Sequence, residues 1–435
     1  MKKLLLSMKK HLLFALFTIV ILNRINAQND VNKHYWAAYD KESNTITCTD
    51  RNIDDTCAII STSTIFLNVP PKYDYHALLK GNDSITIIYT SHHKKTDSLF
   101  KYKISRYDVN PIWKPEFIMS VKSKKIDNHI EKMSSNKAYY AYCIPYRISK
   151  KSNNIMQIAV IDSEGCVLIN KDVKTNYRLK NSHENYYEVL DDGTVILGAI
   201  PHFKTKKQHD NNGLVLYTID NENVSYYHNV GPGYYNHPEG KLLRNGDFIV
   251  VGMVHFTSAR GWQTPIDFVY MYQYDNEKKV LNYKTKSIPG SLYFGWMYDY
   301  VRSPVSTDNF INCIDIYELS DNTIIVILEA QGRSHLETPK TTTSTYKDKN
   351  GNTRTATHTT IEYSNYKTYS GDVLVCEITP TYEFSSMLIY DYRRTYDYSA
   401  DYSKISISSY QDGDNVILDH GHVIIKDENN MLKIK

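Results

Sequence analysis

The stretch "VLDDGTVILGAIPHF" (residues 189–203) returns 53 positions later as "LLRNGDFIVVGMVHF" (residues 242–256). In each, a Leu enters a short polar turn ending in Gly, an apolar run follows, and a His stands nine residues beyond that Gly. Asp-Gly or Asn-Gly between two apolar β-formers is a tight-hairpin signal, because the Gly accepts the positive φ that the turn demands. The phrase therefore writes strand, turn, strand, and its recurrence predicts a fold of duplicated antiparallel units.

Looser copies appear in "LLKGNDSITIIYTSHH" (78–93), "KMSSNKAYYAYCIPYR" (132–147), "ELSDNTIIVILEAQGR" (318–333) and "SYQDGDNVILDHGHV" (409–423). With Asp83, Asn136, Gly193, Gly246, Asn322 and Gly413 as turn positions, the spacings are 53, 57, 53, 76 and 91 residues. A further strand ending in an acidic turn follows each pair, as in "MQIAVIDSEG" and "LVLYTIDNEN", and then a short fourth strand such as "CVLINKDV". One repeat is thus a four-stranded antiparallel meander. Helical 3.6-residue periodicity is almost absent after the amino-terminal segment, so the fold class is all-β. Meanders recurring at this spacing predict a β-propeller. Six blades are expected, with residues 33–69 completing the last one; a seventh blade built from 33–69 is the alternative.

The 435-residue chain opens with a basic start, the apolar run Leu12 to Leu22 and a short polar stretch ending in Ala27. That pattern is a secretory signal peptide over residues 1–27. The remainder, 28–435, is read as a single propeller domain, exported to the periplasm, the outer cell surface or the medium. Loss of Lys2, Lys3, Lys9, Lys10 and Arg24 takes the formal charge from +3 to −2. A near-neutral chain offers no electrostatic case for nucleic acid. No later segment has the ~18 consecutive apolar residues of a spanning helix. A monomer is expected.

Six Cys are few for an exported chain of this length. Cys48 and Cys57 bracket a short loop and could staple it, whereas Cys143, Cys166, Cys313 and Cys376 read as small core residues. The "DRNIDD" segment (50–55) begins like a Ca²⁺ loop, but it lacks the Gly at its sixth position and the Glu at its twelfth, and reads as a solvated turn. The fifth unit carries a Thr- and Tyr-rich insertion over 334–369 around Asn350-Gly351, either a polar two-stranded arm or a loop.

The signal peptide ending Asn26-Ala27-Gln28, the phrases around Gly193 and Gly246, the Glu329-Ala330-Gln331 segment, "YSGDVLVCEI" from Tyr369 and "SYQDGDNVILDH" resemble a group of exported β-propeller proteins of Bacteroidota without an assigned function. The resemblance covers most of the mature chain and concerns blades, not a site.

The positional signal for a site is histidine. His202, His255 and His422 each lie nine residues past a turn Gly, while His183 and His237 precede the first strands of two units. In a propeller these positions share one loop face, with Glu184 and Glu239 as the candidate acids there. Such a set suits ligand binding or proton transfer. No acid or Cys stands at a fixed ligand spacing, so neither a metal nor another cofactor is expected. Serine nucleophile elbows, phosphate loops and H-E-x-x-H are absent. "LDDGT" at 190–194 lacks the Ser and aromatic of a sialidase turn. The sequence thus points to a non-enzymatic propeller binding a protein or glycan, and the alternative is a carbohydrate-active hydrolase or lyase acting at the axial mouth.

Overall fold

The structure, a computed structural model, describes residues 35–51, 59–67, 69–70, 73–93, 96–108, 111–122, 126–201, 213–230, 236–255, 267–288, 305–347, 350–391, 394–397, 407–418, 421–426 and 432–435. Residues 1–27, read from the sequence as a signal peptide, and Cys57 and His202 lie outside these residues.

The described residues build seven antiparallel sheets. The first holds β1 (Tyr35–Asp40), β2 (Thr45–Arg51) and β3 (Ile59–Phe66). The second holds β4 (Asp74–Lys80), β5 (Ser84–His93), β6 (Thr96–Ser105) and β7 (Glu116–Lys122), and the third β8 (Ile130–Met133), β9 (Tyr139–Tyr146), β10 (Ile155–Asp162) and β11 (Val167–Lys174). In the fourth are β12 (Ser182–Val189), β13 (Val195–Pro201), β14 (Gly213–Ile219) and β15 (Val224–Val230), and in the fifth β16 (Asn236–Leu242), β17 (Phe248–His255), β18 (Asp267–Asp275) and β19 (Val280–Ser287). The sixth comprises β20 (Val305–Glu318), β21 (Ile324–Lys347), β22 (Thr353–Ile378) and β23 (Phe384–Tyr390), with β24 (Arg394–Asp397) added to β22. The seventh is β25 (Ser409–Asp412), β26 (Asn415–Leu418), β27 (His422–Lys426) and β28 (Leu432–Ile434). Strand order follows chain order within the sheets, so each is a meander.

Six units are therefore one too few for the sheet count. The strands of 33–69 pair with one another, β1 with β2 and β2 with β3, and the seventh sheet makes its own four strands, closed by reciprocal Val423–Lys435 backbone bonds. The strands of this last sheet are only three to five residues long.

The hairpin of the opening phrase has one recurring geometry. Leu190 N–H donates to Thr194 and Gly193 N–H to Leu190; the same pair of bonds joins Leu243, Gly246 and Asp247, and again Leu319, Asn322 and Thr323. The residue before the left-handed position is an Asp or Asn whose side chain accepts from the backbone two residues on: Asp192 from Thr194, Asn245 from Asp247, Asp321 from Thr323. The left-handed φ falls on Gly193 (86°), Gly246 (85°), Asn322 (63°) and Gly413 (59°), as expected. In the third sheet it falls on Lys137 (58°), one residue past the expected Asn136, because Asn136 supplies the accepting side chain there. Asp83 does not take the left-handed conformation.

Carboxylates link successive turns. Glu164 accepts from the N–H of Asn82, Asp191 from the N–H and hydroxyl of Asn136 and Ser135, Glu318 from the N–H of Arg244, and Asp414 from Ser320. Each acid belongs to the sheet that follows the turn it closes.

Apolar packing explains why strand interiors read as continuous hydrophobic runs. In β5, Ile85, Ile87 and Tyr89 pack toward the first sheet, while Ile88 packs toward the third. In β21, Ile324, Val326 and Leu328 face the fifth sheet, while Ile325 and Ile327 face the seventh. Successive side chains alternate faces at period two, and both faces are buried, so apolar residues fill most positions, with Thr86 and Thr90 the buried polar exceptions in β5. Tyr is part of this core: Tyr89, Tyr142, Tyr270, Tyr272 and Tyr274 are among the largest fully buried side chains.

The chain divides into two compact units, one of residues 1–180, 186–198 and 216–226, the other of 181–185, 199–215 and 227–435. The division runs through the fourth sheet. Residues 334–369 form a two-stranded extension, paired from Leu336 with Ser364 out to Lys347 with Thr353, and turned over Gly351 at φ 79°. Its outer side chains, from Lys340 to Lys347, are exposed.

Cys143, Cys313 and Cys376 are buried as expected. Cys166 is exposed instead, because it sits in the turn closed by Asp162, whose carboxylate accepts from the Cys166 N–H. Cys48 is buried in β2. Among the described residues no helix is long and apolar enough to cross a membrane.

Candidate functional site

The histidines singled out in the sequence fall at sheet ends. His255 closes β17 opposite Asp267, and His422 opens β27 opposite Leu418, its ring 5.8 Å from that of Tyr390. Both border the connection between the second and third strands of their sheets. His183 and Glu184 lie on β12, and His237 and Glu239 on β16, with Glu239 opposite Val251. Among the described residues no group of three or more His, Cys, Asp or Glu is arranged to hold a metal ion.

A denser constellation lies in the first unit. β4 carries a bulge between Tyr75 and Ala77, and the extra residue is His76. A bulge re-aims the side chain it inserts. His76 Nδ1 lies 3.1 Å from Glu131 Oε2 on β8, and its Nε2 lies 2.6 Å from the Thr90 hydroxyl on β5. Farther along β5, His92 stands directly across the ladder from Asp97 on β6, with Nδ1 2.8 Å from Oδ1. His129, just before β8, completes the group: its ring is 5.0 Å from that of His76, 6.2 Å from His92 and 5.2 Å from Tyr142, the last two stacked.

Tyr140 donates to Glu131 Oε2 at 2.6 Å. The hydrogen bond to His76 holds the Glu131 carboxyl below the ordinary carboxylate range, and that from Tyr140 adds to it against a desolvation effect of opposite sign. Burial lowers the pKa of His129, reinforced by the neighbouring His76. Tyr142 and Tyr140 are pushed far up by burial and remain phenols.

Beside this group is a cleft of about 430 Å³. Its walls come from the first strands of three successive sheets, β1, β4 and β8, together with Tyr140 of β9. Tyr39 and Tyr75, stacked with centroids 4.3 Å apart, stand with His76 and Glu131 along it. Lys132, also on the wall, is paired with Glu188 at 2.8 Å. The cleft thus combines aromatic rings, an ionised acceptor and an imidazole. It can stack against an apolar ligand face and accept hydrogen bonds from its hydroxyls.

The sequence pattern does not single out His76, His92, Asp97, His129 or Glu131. One signal was present: His-x-Glu recurs at 129–131 and 237–239, each time near the start of a first strand. The bulge was not legible. The ladder slips a register between Asn236 and Glu239 in β16 as it does at His76 in β4, and only strand pairing reveals this.

No protein-family model matches the chain, and no curated protein matches it. Among solved structures it is similar to an ulvan lyase of a new polysaccharide lyase family, bound to its saccharide, at 12% identity over 72% of this chain and 83% of that one, with a TM-score of 0.29. The WD40 domain of SCAP from fission yeast aligns at 11% identity over 75% and 74% of the two chains, with a TM-score of 0.25. A mannose phosphorylase from Leishmania mexicana aligns at 10% over 75% and 71%, with a TM-score of 0.19. Superpositions this loose carry no functional argument; fold and site rest on the pairings and distances above.

Proposed function

We propose that the protein is an exported β-propeller that binds a glycan or protein ligand on its loop face and in the cleft of its first unit, without catalysing a reaction. The propeller reading is supported by meander sheets packed face to face and by first strands lying next to one another, β1 beside β4 and β16 beside β20. In a propeller the first strand of each blade is innermost, so a cleft walled by three first strands is an axial one.

The observation that carries the binding reading is the lining itself: the Tyr39, Tyr75 and Tyr140 rings around Glu131 and His76. A saccharide is recognised by this mixture, with ring faces against its C–H surfaces and acceptors for its hydroxyls. His202, His255 and His422, with His183, His237, Glu184 and Glu239, belong to the proposed loop face as secondary contacts. The test is a glycan array with the mature chain, the Tyr75→Ala variant and the Glu131→Gln variant. Binding that both substitutions weaken at least tenfold supports the cleft; binding untouched by either moves the ligand elsewhere.

A second reading has its own observation. Three imidazoles lie among two carboxylates and two buried phenols, which is the inventory of general acid–base chemistry. On that reading the protein is a carbohydrate-active hydrolase or lyase working at the same cleft. Release of new chain ends from polysaccharide by wild-type protein, lost in His76→Ala, distinguishes it from the binder.

A further inference from the structure

In the first unit two His–carboxylate pairs are joined through a single hydroxyl. Glu131 Oε2 meets His76 Nδ1 (3.1 Å), His76 Nε2 meets Thr90 Oγ1 (2.6 Å), Thr90 Oγ1 meets His92 Nε2 (3.4 Å), and His92 Nδ1 meets Asp97 Oδ1 (2.8 Å). An ionised carboxylate only accepts, so each imidazole carries a proton on Nδ1. In a neutral ring that leaves Nε2 as an acceptor. Two acceptors then face one hydroxyl, which has one proton to give. The unequal distances say where it goes: Thr90 donates to His76, and His92 Nε2 stands off at 3.4 Å.

One additional proton completes the chain. Placed on His92 Nε2, it is donated to the lone pair of Thr90 Oγ1, and every group is satisfied. A second proton would set two imidazolium rings on one oxygen and turn the Thr90 proton away from both, toward the neighbouring Tyr142 hydroxyl.

We infer that Glu131, His76, Thr90, His92 and Asp97 form a relay that binds one proton between its two imidazoles and leads it from His92 to Glu131 on the wall of the cleft. The ends are open and the middle closed: the side chains of His92 and Glu131 are 42% and 45% exposed, that of His76 10%, and Thr90 is buried. Transfer is balanced at each atom. His92 Nε2–H passes its proton to Thr90 Oγ1, the Thr90 proton passes to His76 Nε2, and the His76 Nδ1 proton passes to Glu131 Oε2. The net change is one proton moved from His92 to a carboxyl that a hydroxyl-bearing ligand in the cleft can contact. The titratable groups packed around the pair are Asp97 from β6, His129 and Glu131 at the entry of the third sheet, Tyr140 and Tyr142 from β9, and Tyr75 beside His76. Of these, His129 is biased by burial toward its unprotonated form.

The relay holds whether the cleft binds a ligand or transforms it, and its test needs no ligand. Imidazole nitrogen NMR on the mature chain reads the tautomers. In the neutral form both Nδ1 atoms should carry protons and neither Nε2, and the first proton added should move the Nε2 signals of His76 and His92 together. Thr90→Val keeps the shape of the side chain and removes the bridge, so the two rings should respond separately; Thr90→Ser should restore the joint response. An Nε2–H tautomer in either neutral ring, or a joint response that survives in Thr90→Val, overturns the inference. Should Thr90→Val not fold, the wild-type tautomers decide alone.

Discussion

Adjacent residues on β21 should both be intolerant of truncation. Val326 and Ile327 are both fully buried, Val326 against the fifth sheet and Ile327 against the seventh. Ile327→Ala removes three carbons, worth about 2.4 kcal/mol at roughly 0.8 per methylene. An unfilled cavity raises that toward 3–4 kcal/mol, within the range of about 2–5 seen for such truncations. Val326→Ala removes two carbons and should cost about 2 kcal/mol on the same basis. Thr357→Ala, on the exposed part of the arm, serves as the control and should stay within about 0.5 kcal/mol. Urea unfolding of the mature chain followed by fluorescence gives these values from midpoint and slope. In a sheet with one wet face only one of the two neighbours could matter. A cost below about 0.5 kcal/mol at either position would therefore refute the two-sided burial from which the packed-sheet architecture is argued.

Gly193→Ala places a β-carbon at φ 86°, 3.2 Å from the Tyr139 ring, and should destabilise by about 1–2 kcal/mol, measured the same way. Asp191→Ala leaves the Ser135 hydroxyl and the Asn136 N–H without their acceptor and should cost about 1 kcal/mol; no change would remove the carboxylate clasp from the account. His129 has a folded-state pKa below its ordinary value of about 6.5, so its contribution to stability is present above that pH and is lost as pH falls through the lower folded value. His129→Gln should flatten the fall in unfolding midpoint below pH 6.5; an unchanged slope assigns that fall to other groups. Replacing residues 340–360 by a two-residue Asn-Gly turn should leave the midpoint of the remaining protein within about 0.5 kcal/mol, since the outer arm side chains are exposed.

The hairpins were legible because their determinants are local. Gly193, Gly246, Asn322 and Gly413 announce a left-handed residue within a few positions of the strands they join. Lys137, Lys279 and Tyr382 take the same conformation without announcing it, since tertiary packing can impose what propensity disfavours. Tyr382 is held by hydrogen bonds from its hydroxyl to Asp247 and from Asn245. The site was less legible. His76, Thr90, His92, Asp97 and Glu131 span 56 positions and four strands, and two of the links depend on a bulge and a cross-strand register that no linear spacing encodes. The histidines that repeat nine residues beyond a turn caught attention by their regularity, whereas the ones that meet in space do not repeat in step.

The carboxylates that close the turns run in one direction along the chain. Glu164, Asp191, Glu318 and Asp414 each reach back to a turn synthesised earlier. During translation a hairpin therefore emerges with a loose tip and is fastened only when its successor leaves the ribosome. Nascent chains halted just after the second, third, fifth or sixth sheet should each expose that sheet's unlatched turn, where a protease finds its first cut.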